Sequence, residues 1–531
     1  MPKKPSKPRA RAKVGGDPNL IDALKTLDEE TLARLRDTLR AELLGEAEDD
    51  EDPIEMFEDF LDRVESSADL KQDEEFFDDI VGLLSQLVID ENGGDPQARD
   101  LRASIYEKLE EALGEDRFDP SGMVLIAKVL SDSGWSVPER LKAKLVEALE
   151  AAPEMGGFDL TGTLDEIAEA VDGDAFAAYD AMNSVLAAFP SDAAAKMVGT
   201  LGQSRAPVLM HTLAGFVMHR DGRLAAAAID ELKRSAEGPV DSALVERLVR
   251  MRPWLPIERQ GPLDAAIRAL RAHAGAPVEL ERPKSAKCFV MACDGSGAGG
   301  ALASMKASDG WRFVAAMTKP LGVEEVLSLE GAPKAQVDAT VRGMRESVMA
   351  AQTDVAGLAR YLQISLGENV AAKNPPPFKL IAFVESLGLG PLAPRVLSPG
   401  DLIAEIIDGL PEGLKDAGAV KLAHESTVGG ALEQPWFEAG EPVERLLGPI
   451  RTKTARIKAL LTAYLPQRRE FWTRACALTA FALELDRKTY GLMGVNLALV
   501  GREIADGAPL EKIPLMRQVA EGTVQAYQSR R

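Results

Sequence analysis

Cysteine and histidine are scarce in this 531-residue chain, which holds three of the first and four of the second. Cys288, Cys293 and Cys476 are too few for a disulfide framework and fit a reducing compartment. Cys288 and Cys293 stand five apart on an expected strand. That odd interval sends their side chains to opposite faces and makes them poor joint metal ligands. His211 and His219 share a helix face but sit about 12 Å apart by helical rise, too far to hold one ion. His273 precedes Gly275 at an expected helix end, and His424-Glu425-Ser426 sets catalytic residue types side by side without making a triad, whose members converge through the fold. No His-Glu-x-x-His, paired Cys-x-x-Cys or Gly-x-Ser-x-Gly is present. These absences leave no catalytic, cofactor-binding or metal-ligating residue to nominate.

Long apolar runs are missing too. Ala475–Leu485 comes nearest and Glu484 interrupts it, so no membrane span is expected. No apolar stretch follows the basic first residues, so a cytoplasmic location is expected. Aromatics make up only 5% of the chain, and alanine and leucine fill the apolar positions, which suits close-packed helices.

The net charge of −22 is unevenly placed. Residues 46–79 carry seventeen Asp and Glu against Arg63 and Lys71 alone. Residues 1–16 are basic and proline-rich (Lys3, Lys4, Lys7, Arg9, Arg11, Lys13) and lack apolar periodicity, as a disordered arm would. Leucines at helical intervals predict a helix over 19–44. In the acidic region 17–115 the stripes Ile54, Phe57, Phe60, Leu61, Val64 and Phe76, Phe77, Ile80, Leu83, Leu84, Leu87, Val88 predict core-facing helices with solvated acidic backs.

Over 116–275 the expected helices are short and evenly spaced. Ser136-Val-Pro-Glu139 matches a capping box, and further starts fall near Phe158, Asp174, Asp192, Ala206, Gly222 and Val240. Pro207–His219, the turn Arg220–Arg223 and Leu224–Leu232 form an amphipathic helix, a polar corner and an alanine-rich second helix. This pattern, over about 120–275, resembles a HEAT-like repeat, although its period is shorter than that family's. The resemblance implies a superhelical stack with an extended surface and the role of a scaffold or adaptor.

Residues 284–330 break the helical fabric. Lys287–Asp294, Ala301–Met305 and Trp311–Thr318 are apolar runs joined by Asp294-Gly295 and Asp309-Gly310, pairs suited to hairpin turns with positive φ. A small three-stranded antiparallel β-meander is expected. After it, 331–531 reads as a helical domain, with a long helical stretch over Pro333–Leu366 that can break near Gly343 and Gly357, a helix starting at Asn374-Pro-Pro-Pro377, and others at 399–409, 442–448, 452–464, 466–486, 488–504 and near 511–528. The fold class is therefore mainly α: an α-solenoid-like repeat array, a β-meander and a helical C-terminal region.

Two places could carry chemistry. Asp294–Gly300 after a strand resembles the first phosphate loop of actin-like ATPases, which would imply nucleotide binding. The second phosphate loop is not visible, and the segment lacks the Gly-Lys-Ser/Thr ending of a Walker A loop. Over 451–474, Arg451, Lys453, Arg456, Lys458, Arg468, Arg469 and Arg474 surround Tyr464, Phe471 and Trp472, with only Glu470 opposing. Arg468 and Arg469 fall at a helix start, which disfavours each by about 0.3–1 kcal/mol unless an anion faces it. Internal carboxylates are the expected anions, and Phe471 and Trp472 the expected core. The leading expectation is a non-enzymatic scaffold acting on protein partners. A nucleic-acid-associated protein using residues 1–16 and 451–474 comes second, and a nucleotide-dependent enzyme with its loop at 294–300 third.

Overall fold

The structure, a computed structural model, describes residues 52–66, 74–92, 96–151, 173–187, 189–203, 206–237, 240–277, 280, 282–308, 310–428 and 436–529. The basic arm, the helix expected over 19–44, the helix start near Phe158 and Asp309 lie outside the described residues.

The first unit consists of α1 (Pro53–Ser66), α2 (Glu74–Asn92), α3 (Pro96–Gly114), α4 (Pro120–Asp132) and α5 (Glu139–Ala151). Its core closes on Phe57, Phe60, Leu61, Val64, Ile80, Leu84, Ile105 and Leu109, so the acidic stripes do face inward with their apolar sides. Trp135 fills the same core and donates its indole N–H to the Leu84 carbonyl at 2.9 Å.

The second unit comprises α6 (Ala175–Leu186), α7 (Ser191–Val198), α8 (Pro207–Val217), α9 (Gly222–Arg234), α10 (Ser242–Met251) and α11 (Ile257–Arg271). Aspartates supply its punctuation. Asp174, Asp221 and Asp241 accept from backbone N–H groups in the first turns of α6, α9 and α10. Helix α8 packs on α6, α9 and α10, while α9 packs on α7, α8 and α11.

The sheet has five antiparallel strands, not three: β1 (Ala286–Met291), β2 (Gly299–Lys306), β3 (Trp311–Lys319), β4 (Gly322–Ala332) and β5 (Ala350–Thr353), in the order β4-β3-β2-β1-β5. The meander expected over 284–330 is thus correct in its first three strands and short by two. The helical stretch expected over Pro333–Leu366 is split by β5 into α12 (Lys334–Ser347) and α13 (Val355–Ala371). Alternation sorts the sheet's two faces. Phe289, Met291, Leu302, Phe313 and Ala315 pack with Val337 and Val341 of α12. Cys288, Val290, Ala301, Ala303, Val314 and Ala316 join the main core on the other face. Cys293 lies beyond the end of β1 and joins that same core, so the two cysteines do not sit on opposite sides as expected.

The remaining helices are α14 (Lys379–Ser386), α15 (Pro399–Asp408), α16 (Ala417–Ser426), α17 (Glu441–Leu447), α18 (Lys453–Ala459), α19 (Arg469–Leu485), α20 (Arg487–Tyr490), α21 (Met493–Ala505) and α22 (Pro514–Ser529). Helix α19 is the hub. Ala475–Leu483 is buried throughout, and α15, α21 and β5 pack against this helix. Between α18 and α19 the chain widens into a π-turn at Leu460–Tyr464 and then tightens into a 3₁₀ turn at Leu465–Arg468, where Pro466 denies the regular ladder a donor. Among the described residues no helix is long and apolar enough to cross a membrane.

Candidate functional site

The Asp294–Gly300 loop is a closed hairpin. The Asp294 carboxylate accepts from the backbone N–H of Ser296 (2.8 Å) and of Ala298 (2.9 Å) and from the Ser296 hydroxyl (2.7 Å). Gly297 N–H donates to the Asp294 carbonyl at 3.1 Å. The amides of Ser296, Gly297 and Ala298 are therefore satisfied within the loop by the aspartate that opens it. The glycine with positive φ is Gly297 at +79°, not Gly295 as the Asp-Gly pair led us to expect. A Cβ on Gly297 would stand 2.8 Å from the Phe471 ring. Gly297→Val should accordingly lower stability by about 1–3 kcal/mol through backbone strain and crowding. Urea denaturation measures this, and full retention of stability would contradict the hairpin geometry.

The basic residues of 451–474 divide by partner. Glu438, buried, accepts from Arg468 Nε (2.9 Å) and Trp472 Nε1 (3.0 Å) on one oxygen and from the Tyr464 hydroxyl (3.3 Å) on the other. The π-turn sets Tyr464 and Arg468 toward that carboxylate. Arg469 donates to the carbonyls of Ile504 (2.9 Å) and Ala508 (2.8 Å) and so caps α21 rather than meeting an anion. Arg474 is buried. It grips Glu368 through Nε (2.5 Å) and Nη2 (2.9 Å) and also donates to the carbonyls of Gly297 and Lys319, both at 2.8 Å. Arg456 donates to the Ile450 carbonyl at 2.8 Å. Arg451, Lys453 and Lys458 are exposed. The group is thus not one surface patch, and Trp472 is fully buried.

The histidines are dispersed. His424 Nε2 meets Glu503 at 2.7 Å, whereas the Ser426 hydroxyl donates to the Ala423 carbonyl and accepts from Asn496, so His424 and Ser426 form no dyad. His219 Nδ1 accepts from the Asp221 N–H at 3.0 Å. The His273 carbonyl accepts from Val240 N–H at 3.3 Å. Burial pushes the Cys288 thiol up to about 11 and the Cys293 and Cys476 thiols up to about 12, which keeps them neutral. Among the described residues no group of three or more His, Cys, Asp or Glu side chains could hold a metal ion.

The sequence did not point to one concavity among the described residues. A cleft of about 1050 Å³ opens where α4, α6 and α14 meet the outer part of the sheet. Val314 on β3 with Val326 and Ser328 on β4 line one side, and Phe176 on α6 and Phe383 on α14 line the other. Charged groups around it are paired across elements: Lys379 with Asp180 at 2.5 Å and Arg312 with Glu330 at 3.0 Å. Glu385 on α14 holds Arg247 at 2.7 Å and Arg250 at 3.2 Å, both from α10. Arg312 Nε is buried and meets no acceptor among the described residues. Strand β4 is an edge strand, paired among the strands with β3 alone, and near its start the Asn369 side chain takes up the N–H (2.9 Å) and the carbonyl (3.2 Å) of Val323. The cleft therefore brings together a mixed polar and apolar lining, two partly exposed ion pairs and the edge of β4. No sequence signal could have found it, because its lining comes from segments as far apart as Lys128 and Ser386.

Two stretches of the chain are similar to known families. Residues 190–274 match the Y4lR second domain, and residues 413–528 match the Y4lR C-terminal helical domain. The first match spans α7 to α11; the second runs from just before α16 almost to the end of α22. No curated protein and no solved structure matches the chain.

Proposed function

We propose that this protein is a non-enzymatic scaffold or adaptor that binds protein partners, with the cleft between α6, α14 and the β3–β4 surface as its receptor site. The cleft carries the reading. Its lining mixes apolar and polar side chains, its rim carries charges of both signs, and its Lys379–Asp180 and Arg312–Glu330 pairs are partly exposed, so a partner's side chains can exchange with them at small cost. An edge strand beside the cleft adds backbone donors and acceptors for an extended segment. The helices behind it support the HEAT-like part of the reading, because α6, α8 and α10 pack one on the next, as do α7, α9 and α11. Two such rows form the kind of stack from which repeat scaffolds are built. A nucleic-acid role draws less support, since Arg468, Arg469 and Arg474 spend their donors inside the protein. A phosphate-loop role draws less as well, given the closed Asp294 hairpin.

Affinity capture from the native cell, compared across variants, tests the proposal. Ser184→Arg with Ser328→Arg places bulk in the cleft without removing an ion pair. This double variant should keep its thermal stability and lose its principal co-purifying protein by at least about tenfold, equivalent to about 1.4 kcal/mol. Arg451→Glu with Lys458→Glu should retain it. Loss in the second variant and retention in the first, with capture abolished by nuclease, would replace the scaffold reading with nucleic-acid association.

A further inference from the structure

His211 lies on α8, in a second cavity that adjoins the cleft around Asp174 and Phe176. Its two ring nitrogens face opposite chemistry. Nε2 is 2.9 Å from the Asp241 carboxylate at the start of α10, and Nδ1 is 3.1 Å from Arg247 Nη1 on the same helix. A guanidinium only donates, so Nδ1 must offer its lone pair and Nε2 must carry the proton given to Asp241. The ring in this arrangement is neutral.

Arg247 uses its other donors on Glu385 of α14, Nε at 3.1 Å and Nη2 at 2.7 Å, with Arg250 adding a contact at 3.2 Å. The guanidinium also lies over Phe176 at 5.0 Å. The chain Asp241–His211–Arg247–Glu385 thus ties the helical array to the helix that walls the cleft. We propose that His211 is a proton-sensitive latch: the neutral ring holds Arg247 on Glu385, and a second proton on the ring sets N–H against N–H, displaces Arg247 and loosens α14.

The charged groups facing the ring are Asp241 and Arg247, with Glu385 beyond Arg247, Arg250 behind Glu385 and Asp174 across the cavity from the start of α6. Helix α9 contributes no residue to the cavity lining. Burial, helped by Arg247, lowers the affinity of His211 for a proton against the opposing pull of Asp241 and Glu385. The sign follows. Above the ordinary imidazole value of about 6.5 the latch is intact, and it is lost as pH falls from there through the lowered folded value. The proposal goes beyond the scaffold reading and does not depend on what the cleft binds.

Amide exchange on the full chain, corrected for the intrinsic pH effect, tests it. Between about pH 7.5 and about pH 5, protection over Lys379–Ser386 should fall about tenfold while α9 changes little, because a local opening exposes only the segment released. In His211→Gln the pH dependence should vanish, and in His219→Gln it should persist. Asp241→Asn guards against a His211 variant that does not fold. Asparagine preserves the helix cap but removes the carboxylate that favours the charged ring, so the transition should move to lower pH by about one unit. Protection of α14 that ignores pH, a pH response unchanged in a folded His211→Gln, or an Asp241→Asn midpoint that does not move would each overturn the latch.

Discussion

Arg474→Met should destabilise the protein by about 3–5 kcal/mol, because it leaves Glu368 as an uncompensated buried charge. The loss is not confined to one pair. Arg474 joins α19 to α13 through Glu368, to the hairpin through Gly297 and to the β3–β4 turn through Lys319. Methionine fills much of the volume and none of the donor positions. Burial already raises the Glu368 carboxyl above its usual range, against the pull of Arg474. A carboxyl raised in the folded state penalises folding at neutral pH, and the penalty shrinks as pH falls through the folded value. The mutational deficit measured by urea denaturation should therefore be smaller at about pH 5 than at about pH 7.5, since the stranded Glu368 can take up a proton. A deficit below about 1 kcal/mol, or one that grows toward acid, would contradict the role given to this arginine.

Trp472→Ala should cost about 3–5 kcal/mol by emptying a fully buried site. The indole packs edge-on against Phe471 at 5.1 Å and tilted against Trp436 at 5.5 Å, and its N–H satisfies Glu438. A tryptophan that served as a base-stacking platform would stand in solvent, and its truncation would leave stability nearly unchanged. Thermal denaturation separates the two roles. A loss within about 0.5 kcal/mol of zero would return Trp472 to the surface and revive nucleic-acid binding at 451–474.

The legible parts of this fold are those whose signals are local. Phe57, Phe60, Leu61 and Val64 recur at helical spacing, and all four are buried on one side of α1. Asp174 and Pro207 mark helix starts that form where they stand. Strands β1 to β3 emerge from apolar runs and Gly-containing turns. Strand β4 was missed for a physical reason. Val323, Val326 and Leu327 sit at intervals that suit a helix as well as a strand, and an edge strand with one covered face keeps no strict alternation. Strand β5 is only Ala350-Ala-Gln-Thr353, too short and too rich in alanine to stand out between two helices.

At the candidate sites the sequence window itself misled. Seven basic residues against one acid looked like a patch, whereas Glu438 and Glu368 arrive from 30 and 106 residues away to meet Arg468 and Arg474. The expectation of internal carboxylates holds for those two arginines. For Arg469 the partners are carbonyls at the end of α21. The cleft stayed hidden because Asp174, Val326 and Phe383 share no local pattern, and only the packing of α6 and α14 on the sheet brings them together.

Amide exchange on the protein bound to its captured partner tests the scaffold reading most directly. The account expects new protection over Ala175–Leu186, over Val326–Glu330 at the open edge of β4, and over Lys379–Ser386, with residues 451–458 unchanged. Protection that falls instead on 451–458 or on the 294–300 hairpin, with the cleft elements exchanging as in the free protein, would contradict it.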